Sequence, residues 1–203
     1  MSHPKCGRAA PVVHGTAAIL SVRRCLFGAA LAMALATGSA WAGGMGPINS
    51  AAPKNQIAPN APFLVHGKRV DLRSFRGQPL MLWQVTTWCS SCRAGLELMA
   101  RKRIKALIDA SNIRIIVLRD YKNGGYPGDS MSRFAGKAAP ALLHDPHFVF
   151  GKDTATLFKL YNPHHYVDVY QLISAVGNIA TVSSTPTASV DKIIAFIKSQ
   201  AKS

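Results

Sequence analysis

The apolar positions of this 203-residue chain change period along the sequence. "PLMLWQVTT" (79–87) and "IRIIVLRD" (113–120) are continuous apolar runs of strand length, the pattern of strands buried on both faces. Between them, residues 90–110 place Leu96, Met99, Ile104, Leu107 and Ile108 roughly along one face, with Arg93, Arg101, Lys102, Arg103 and Lys105 left for solvent. That spacing predicts a helix, with Ser90 and Ser91 able to cap its start. Strand, helix, strand predicts a βαβ crossover with a parallel pair. Upstream, Phe63-Leu64-Val65 and Arg69-Val70 predict a short hairpin turned at His66-Gly67-Lys68, then a helical turn through Leu72 and Phe75. Downstream, a short helix is expected over 130–138 and another over 153–161, capped by Asp153. "YKNGGYPGD" (121–129) reads as a loop and "HDPHFVFGKD" as a loop holding a short extended piece. A strand at 167–174 turns at Gly177-Asn178 into "IATVSS", and a helix over 187–200 sets Val190, Ile193, Ile194 and Ile197 on one face. The predicted class is α/β, a central mixed sheet flanked by helices.

The first 42 residues follow a different pattern. Arg23 and Arg24 precede "CLFGAALAMALATGSAWA", a short apolar run ending in Ala40-Trp41-Ala42. A basic region, an apolar region and an A-x-A end predict a secretory signal peptide over 1–42, which places the protein in the periplasm or another extracytoplasmic space. Left uncleaved, the run would anchor the chain in a membrane. Residues 43–60, "GGMGPINSAAPKNQIAPN", read as a flexible linker to a domain over 61–203. Cleavage removes four basic residues and no acid, so the net charge falls from +15 to +11. An exported basic protein suits acidic partners or anionic surfaces, and no nucleic-acid role is expected.

Cleavage also removes Cys6 and Cys25, which leaves Cys89 and Cys92 in "TTWCSSCRAG". A thiol attacks as its thiolate, and the N-terminus of a helix favours that anion. Cys89 stands at the junction of strand and helix. Cys92 follows one turn later on the inner side, placed to displace the first sulfur from a mixed disulfide. Trp88 offers a flat docking surface beside them. Two other readings use the same pair. A zinc site wants four ligands, and histidines would have to complete it: His144 and His147 in one loop, or the neighbours His164 and His165. A structural disulfide closing so short a loop adds little stability.

The stretch 61–98, "APFLVHGKRVDLRSFRGQPLMLWQVTTWCSSCRAGLEL", resembles exported thioredoxin-like proteins of the TlpA and ResA type, and the likeness runs to about residue 201. The resemblance implies a thioredoxin-like fold and a thiol–disulfide oxidoreductase, with Cys89 attacking and Cys92 resolving. Its partners would be thiols and disulfides of exported proteins, with a membrane thiol carrier as electron source and no cofactor. The family's cis-proline slot, where substrates dock, falls at Val167 or Asp168, and neither is proline. The helix acid common in the family is replaced by Gly95, and its kinking proline by Glu97. The strand position that carries a buried acid in cytosolic thioredoxin is Trp83. No base for Cys92 is evident, with Glu97 the nearest acid in sequence. A missing proline also fits copper-delivery proteins of the SCO type, in which the two cysteines and His165 would hold Cu(I), although that family spaces its cysteines by three residues. Peroxidase chemistry is a weaker reading: Thr86 and Thr87 are present, but the proline that shapes such a loop is not.

Overall fold

The computed structural model describes residues 55–200. The leader expected over 1–42 and the linker as far as residue 54 lie outside the described residues. Seven strands are present: β1 (Pro62–Val65), β2 (Lys68–Asp71), β3 (Leu80–Val85), β4 (Arg114–Arg119), β5 (Phe148–Lys152), β6 (Asp168–Ile173) and β7 (Ile179–Ser184). They form one mixed sheet in the order β2-β1-β5-β4-β3-β6-β7. β3 and β4 run parallel in the register Leu80↔Arg114 to Val85↔Arg119, and β6 lies antiparallel on the other edge of β3, from Leu80↔Ile173 to Val85↔Asp168. Every residue of β3 and β6 is buried, which is why the first of them reads as an unbroken apolar run.

Alternation along the strands divides the core in two. Met81, Trp83 and Val85 face a layer built from α1 (Ser90–Met99), α2 (Lys102–Asp109), α3 (Met131–Ala138) and α5 (Val190–Gln200). Leu80 and Leu82 face the opposite layer with α4 (Ala155–Tyr161) and the segment before β3. The parallel β3-α1/α2-β4 crossover and the closing β6–β7 hairpin are as expected.

The structure departs from the sequence reading at four places. The helix expected over 90–110 is two helices, broken where Arg101 is extended (φ −65°, ψ 135°). At 3.6 residues per turn, Ile104 and Ile108 would sit about 80–120° around a continuous helix from Leu96. The break turns both back onto the core, where they are buried. β5 is a full strand, parallel to β4 from Ile115↔Phe148 to Arg119↔Lys152, because an interior sheet position stabilises an extended run too short to declare itself. The cap of α4 is Thr154, whose Oγ1 accepts from the Leu157 N–H at 3.2 Å, while Asp153 is buried under the sheet. Residues 55–60, the described end of the expected linker, are held in place. Ile57 bridges Asn178, Ala58 N–H donates to the Gly177 carbonyl, and Tyr161 Oη donates to the Pro59 carbonyl at 2.5 Å.

Candidate redox site

The end of β3, the start of α1 and the start of β6 converge on the two cysteines. Cys89 is the N-cap of α1 and has extended backbone (φ −80°, ψ 123°); its Sγ accepts the Cys92 N–H at 3.2 Å. A sulfur thus takes the capping role that the flanking serines were expected to fill, and the helix end stabilises its negative charge. Ser91 Oγ lies 3.1 Å from the same sulfur. The Cys89 thiol is lowered to about 6: hydrogen bonding with the Cys92 thiol is the largest cause, Ser91 and the Cys92 N–H add to it, and burial and the Asp168 charge oppose it. Cys92 is fully buried and its thiol donates to the Val167 carbonyl at 3.3 Å. Burial pushes this thiol far up, joined by its bond to Cys89 and the nearby Asp168 charge. Both cysteines are free thiols, and Cys89 retains 7% exposure, less than the open position expected for an attacking group.

Asp168 is a buried acid beside the thiols that the sequence reading lacked. Its carboxylate oxygen and the two sulfurs lie within 4.8 Å of one another. Trp83 Nε1 donates to its Oδ1 at 2.8 Å and Ser91 Oγ to its Oδ2 at 2.8 Å. Burial raises this carboxyl above its ordinary range, against the pull of Trp83 and Ser91. The departures from the family pattern fit together here. Trp83 fills the strand slot of the thioredoxin acid and hands its N–H to an acid one strand over. A side chain at Gly95 would begin 2.6 Å from Trp83 Cη2, so the ring excludes an acid at that helix position.

Asp168 was expected on the docking surface with Val167; its side chain instead is 1% exposed and turned to the thiols. The Val167 carbonyl also points inward, to the Thr86 N–H and the Cys92 thiol. Glu97 is a solvated helix carboxylate paired with Arg93 at 3.1 Å, and it takes no part in the site. His165, the copper ligand of the alternative reading, is not brought to the sulfurs. Among the described residues the thiol cluster has Asp168 as its third member, and the His165 ring packs edge-on against Phe158 at 4.8 Å. His147 is used in the fold, its Nδ1 lying 2.9 Å from the Ile113 carbonyl.

Trp88 is 44% exposed beside Cys89, with Tyr126 edge-on at 5.3 Å. Both rings depend on the 121–129 loop, whose Lys122, Asn123 and Gly124 are left-handed (φ 57°, 55° and 65°). Buried Asn123 accepts from the Thr87 N–H at 2.9 Å and donates from Nδ2 to the Tyr126 carbonyl at 3.0 Å; its own carbonyl accepts from Trp88 Nε1 at 2.8 Å. A Cβ on Gly128 would lie 2.5 Å from Thr87 Oγ1, so only glycine lets the loop close on the redox turn. The sequence reading missed Asn123. Its available signal was "NGG", which favours positive φ.

No family model matches the chain, and no curated protein matches it in sequence. Among solved structures it is similar to a thioredoxin-like protein from Aeropyrum pernix, with 20% identity over 69% of this chain and 89% of that one at a TM-score of 0.54. It is also similar to a protein from Bacteroides thetaiotaomicron described as a candidate disulfide isomerase (19% identity, 73% and 92% covered, TM-score 0.53). A third is BsSco, a member of the Sco family of cytochrome c oxidase assembly proteins (17% identity, 74% and 96% covered, TM-score 0.54). At these identities the likeness is one of fold, and the chain has the thioredoxin-like fold.

Proposed function

We propose that the protein is an exported thiol–disulfide oxidoreductase that exchanges disulfides with other exported proteins through Cys89 and Cys92. The carrying observation is the asymmetry of the pair: one sulfur caps a helix with its thiol lowered to about 6, and the other is sealed behind it with its thiol raised. The Cys89 thiolate attacks one sulfur of a substrate disulfide, forming a mixed disulfide and releasing the other substrate sulfur as a thiolate. Cys92 then yields its proton to the Asp168 carboxylate and attacks the Cys89 sulfur, which frees the second substrate thiol and leaves Cys89–Cys92 oxidised. The reverse sequence donates a disulfide. In the reducing direction the pair is recharged by a membrane thiol carrier, the class of donor an oxidising compartment requires. Trp88 and Tyr126 form the surface on which the substrate backbone rests. The expected leader supports export; none of the described helices is long and apolar enough to cross a membrane.

Reduction of insulin disulfides by dithiothreitol, with catalytic amounts of the protein, tests this reading. Catalysis is expected from the parent, its loss from Cys89→Ser, and a trapped mixed disulfide from Cys92→Ser. Catalysis that survives Cys89→Ser removes the reading.

A further inference from the structure

We propose that, with both thiols reduced, Cys89 Sγ, Cys92 Sγ and a carboxylate oxygen of Asp168 form a divalent-metal site of the zinc class. Among the described residues this is the group of three potential ligands whose atoms all lie within 4.8 Å of one another, and all three residues are buried. Zinc–sulfur bonds are about 2.3 Å and zinc–oxygen bonds about 2.0–2.2 Å, so one ion spans such a set with small side-chain shifts.

The donor types select the metal. Two thiolates and a carboxylate suit Zn(II), a borderline ion that accepts both, whereas Cu(I) favours sulfur and imidazole and gains little from a carboxylate. The nearest imidazoles in sequence stand elsewhere: His165 packs on Phe158 and His164 lies against Tyr166. Three protein ligands leave a fourth position for water or an incoming group, on the Cys89 side where the site reaches solvent. The supporting shell is already in place. Trp83 Nε1 and Ser91 Oγ both donate to Asp168, which fixes the carboxylate as outer-shell partners of metal ligands do. Two thiolates, a carboxylate and Zn(II) sum to one negative charge, which the N-terminus of α1 and the Cys92 N–H to Cys89 favour. Each thiol that enters as S–H releases its proton to solvent, and no electron moves. A thiolate engaged with zinc cannot attack a disulfide, so bound zinc holds the pair out of exchange.

The test uses the reduced protein under anaerobic conditions, carrying Cys6→Ser and Cys25→Ser so that two cysteines remain. Zn(II) is titrated against a chromophoric chelator, and Co(II) serves as the spectroscopic probe. One zinc per chain is expected, with Co(II) showing thiolate charge-transfer bands and a tetrahedral ligand field. Asp168→Asn, which removes a ligand, should weaken zinc by more than the roughly tenfold to hundredfold that loss of an outer-shell partner costs, and alter the cobalt spectrum. Ser91→Ala should weaken it less. Absence of zinc binding, or equal affinity and an identical spectrum for Asp168→Asn, overturns the proposal. So does tight Cu(I) binding that ignores Asp168 in a protein that does not take zinc. If Asp168→Asn does not fold, as judged by circular dichroism, zinc X-ray absorption on the parent decides. Two sulfurs with lighter donors support the site, and four sulfurs around the ion overturn it. Insulin reduction by the metal-free protein is measured separately, so a missing metal site and a missing exchange activity are told apart.

Discussion

Two sets of buried carboxylates sit at the same end of the sheet, one on each face. On the α1 side Asp168 lies beside two thiols, with each of its oxygens accepting a hydrogen bond. On the α4 side Asp120 and Asp153 follow β4 and β5, and Gln84 Nε2 donates to Asp153 Oδ2 at 2.6 Å. One oxygen of each (Asp120 Oδ1 and Asp153 Oδ1) has no hydrogen-bond partner among the described residues. Burial is the largest cause of a raised carboxyl in all three. Asp120 and Asp153 are raised to about 7, with the charge of Asp120 adding to the shift of Asp153. Burial alone therefore does not distinguish a working acid from a structural one. What sets Asp168 apart is a proton-bearing neighbour, Cys92, which must ionise for the proposed exchange to finish.

Exchanging the acid for its amide on the thiol face breaks the comparison most widely. Asp168→Asn keeps the shape and removes the proton acceptor. Resolution of the mixed disulfide is expected to slow roughly a hundredfold, seen as accumulation of that intermediate in rapid-quench gels. The same change lowers the Cys89 thiol further, because the Asp168 charge now raises it. Alkylation of Cys89 should climb with pH through about 6 and level off above it, with the midpoint moving down in the variant. An unmoved midpoint and unchanged resolution would show Asp168 to be merely structural.

Next in size is the link between the active turn and its supporting loop. Asn123→Ala leaves the buried Thr87 N–H without its acceptor and frees the Tyr126 carbonyl, at about 2 kcal/mol. Chemical denaturation measures that cost, and Trp88 fluorescence reports whether the ring becomes mobile.

On the α4 face the effect is on stability and its pH dependence. A carboxyl raised from 3.8 to about 7 binds its proton in the folded state where the unfolded chain has lost it. The folded state then holds more protons than the unfolded state between about pH 4 and 7, so this contribution falls as pH rises through that window. Asp153→Asn should flatten the fall and stabilise the protein at pH 8 by on the order of 1–3 kcal/mol, read as a higher Tm, with insulin reduction unchanged. A variant that loses exchange activity would make the two faces one machine.

The smallest effect sharpens the comparison at the surface. Trp88→Ala should lower kcat/KM for protein disulfides a few-fold and leave a small disulfide such as oxidised dithiothreitol untouched, with little change in Tm. Equal losses on both would assign Trp88 to the chemistry and remove it from docking.

The sequence by itself determined the elements with strong local signatures. Continuous apolar runs marked β3 and β4 because both faces of each are covered, and the CxxC at the start of a helix marked the candidate redox pair because spacing and capping are local properties. Tertiary structure decided whatever depends on partners distant in the chain. β5 is a strand because β4 lies beside it, and the helix after the cysteines breaks because its second half must turn Ile104 and Ile108 to the same core. His165, two residues before Val167, packs on Phe158 and does not join the thiol cluster, because neighbours in sequence need not converge on one site. The slot at Val167 or Asp168 was visible as a missing proline, and Asp168 was invisible as a neighbour of the thiols. Its place there requires the antiparallel register that sets it opposite Val85, with Trp83 Nε1 and Ser91 Oγ in reach, and no local pattern encodes a pairing across more than eighty residues.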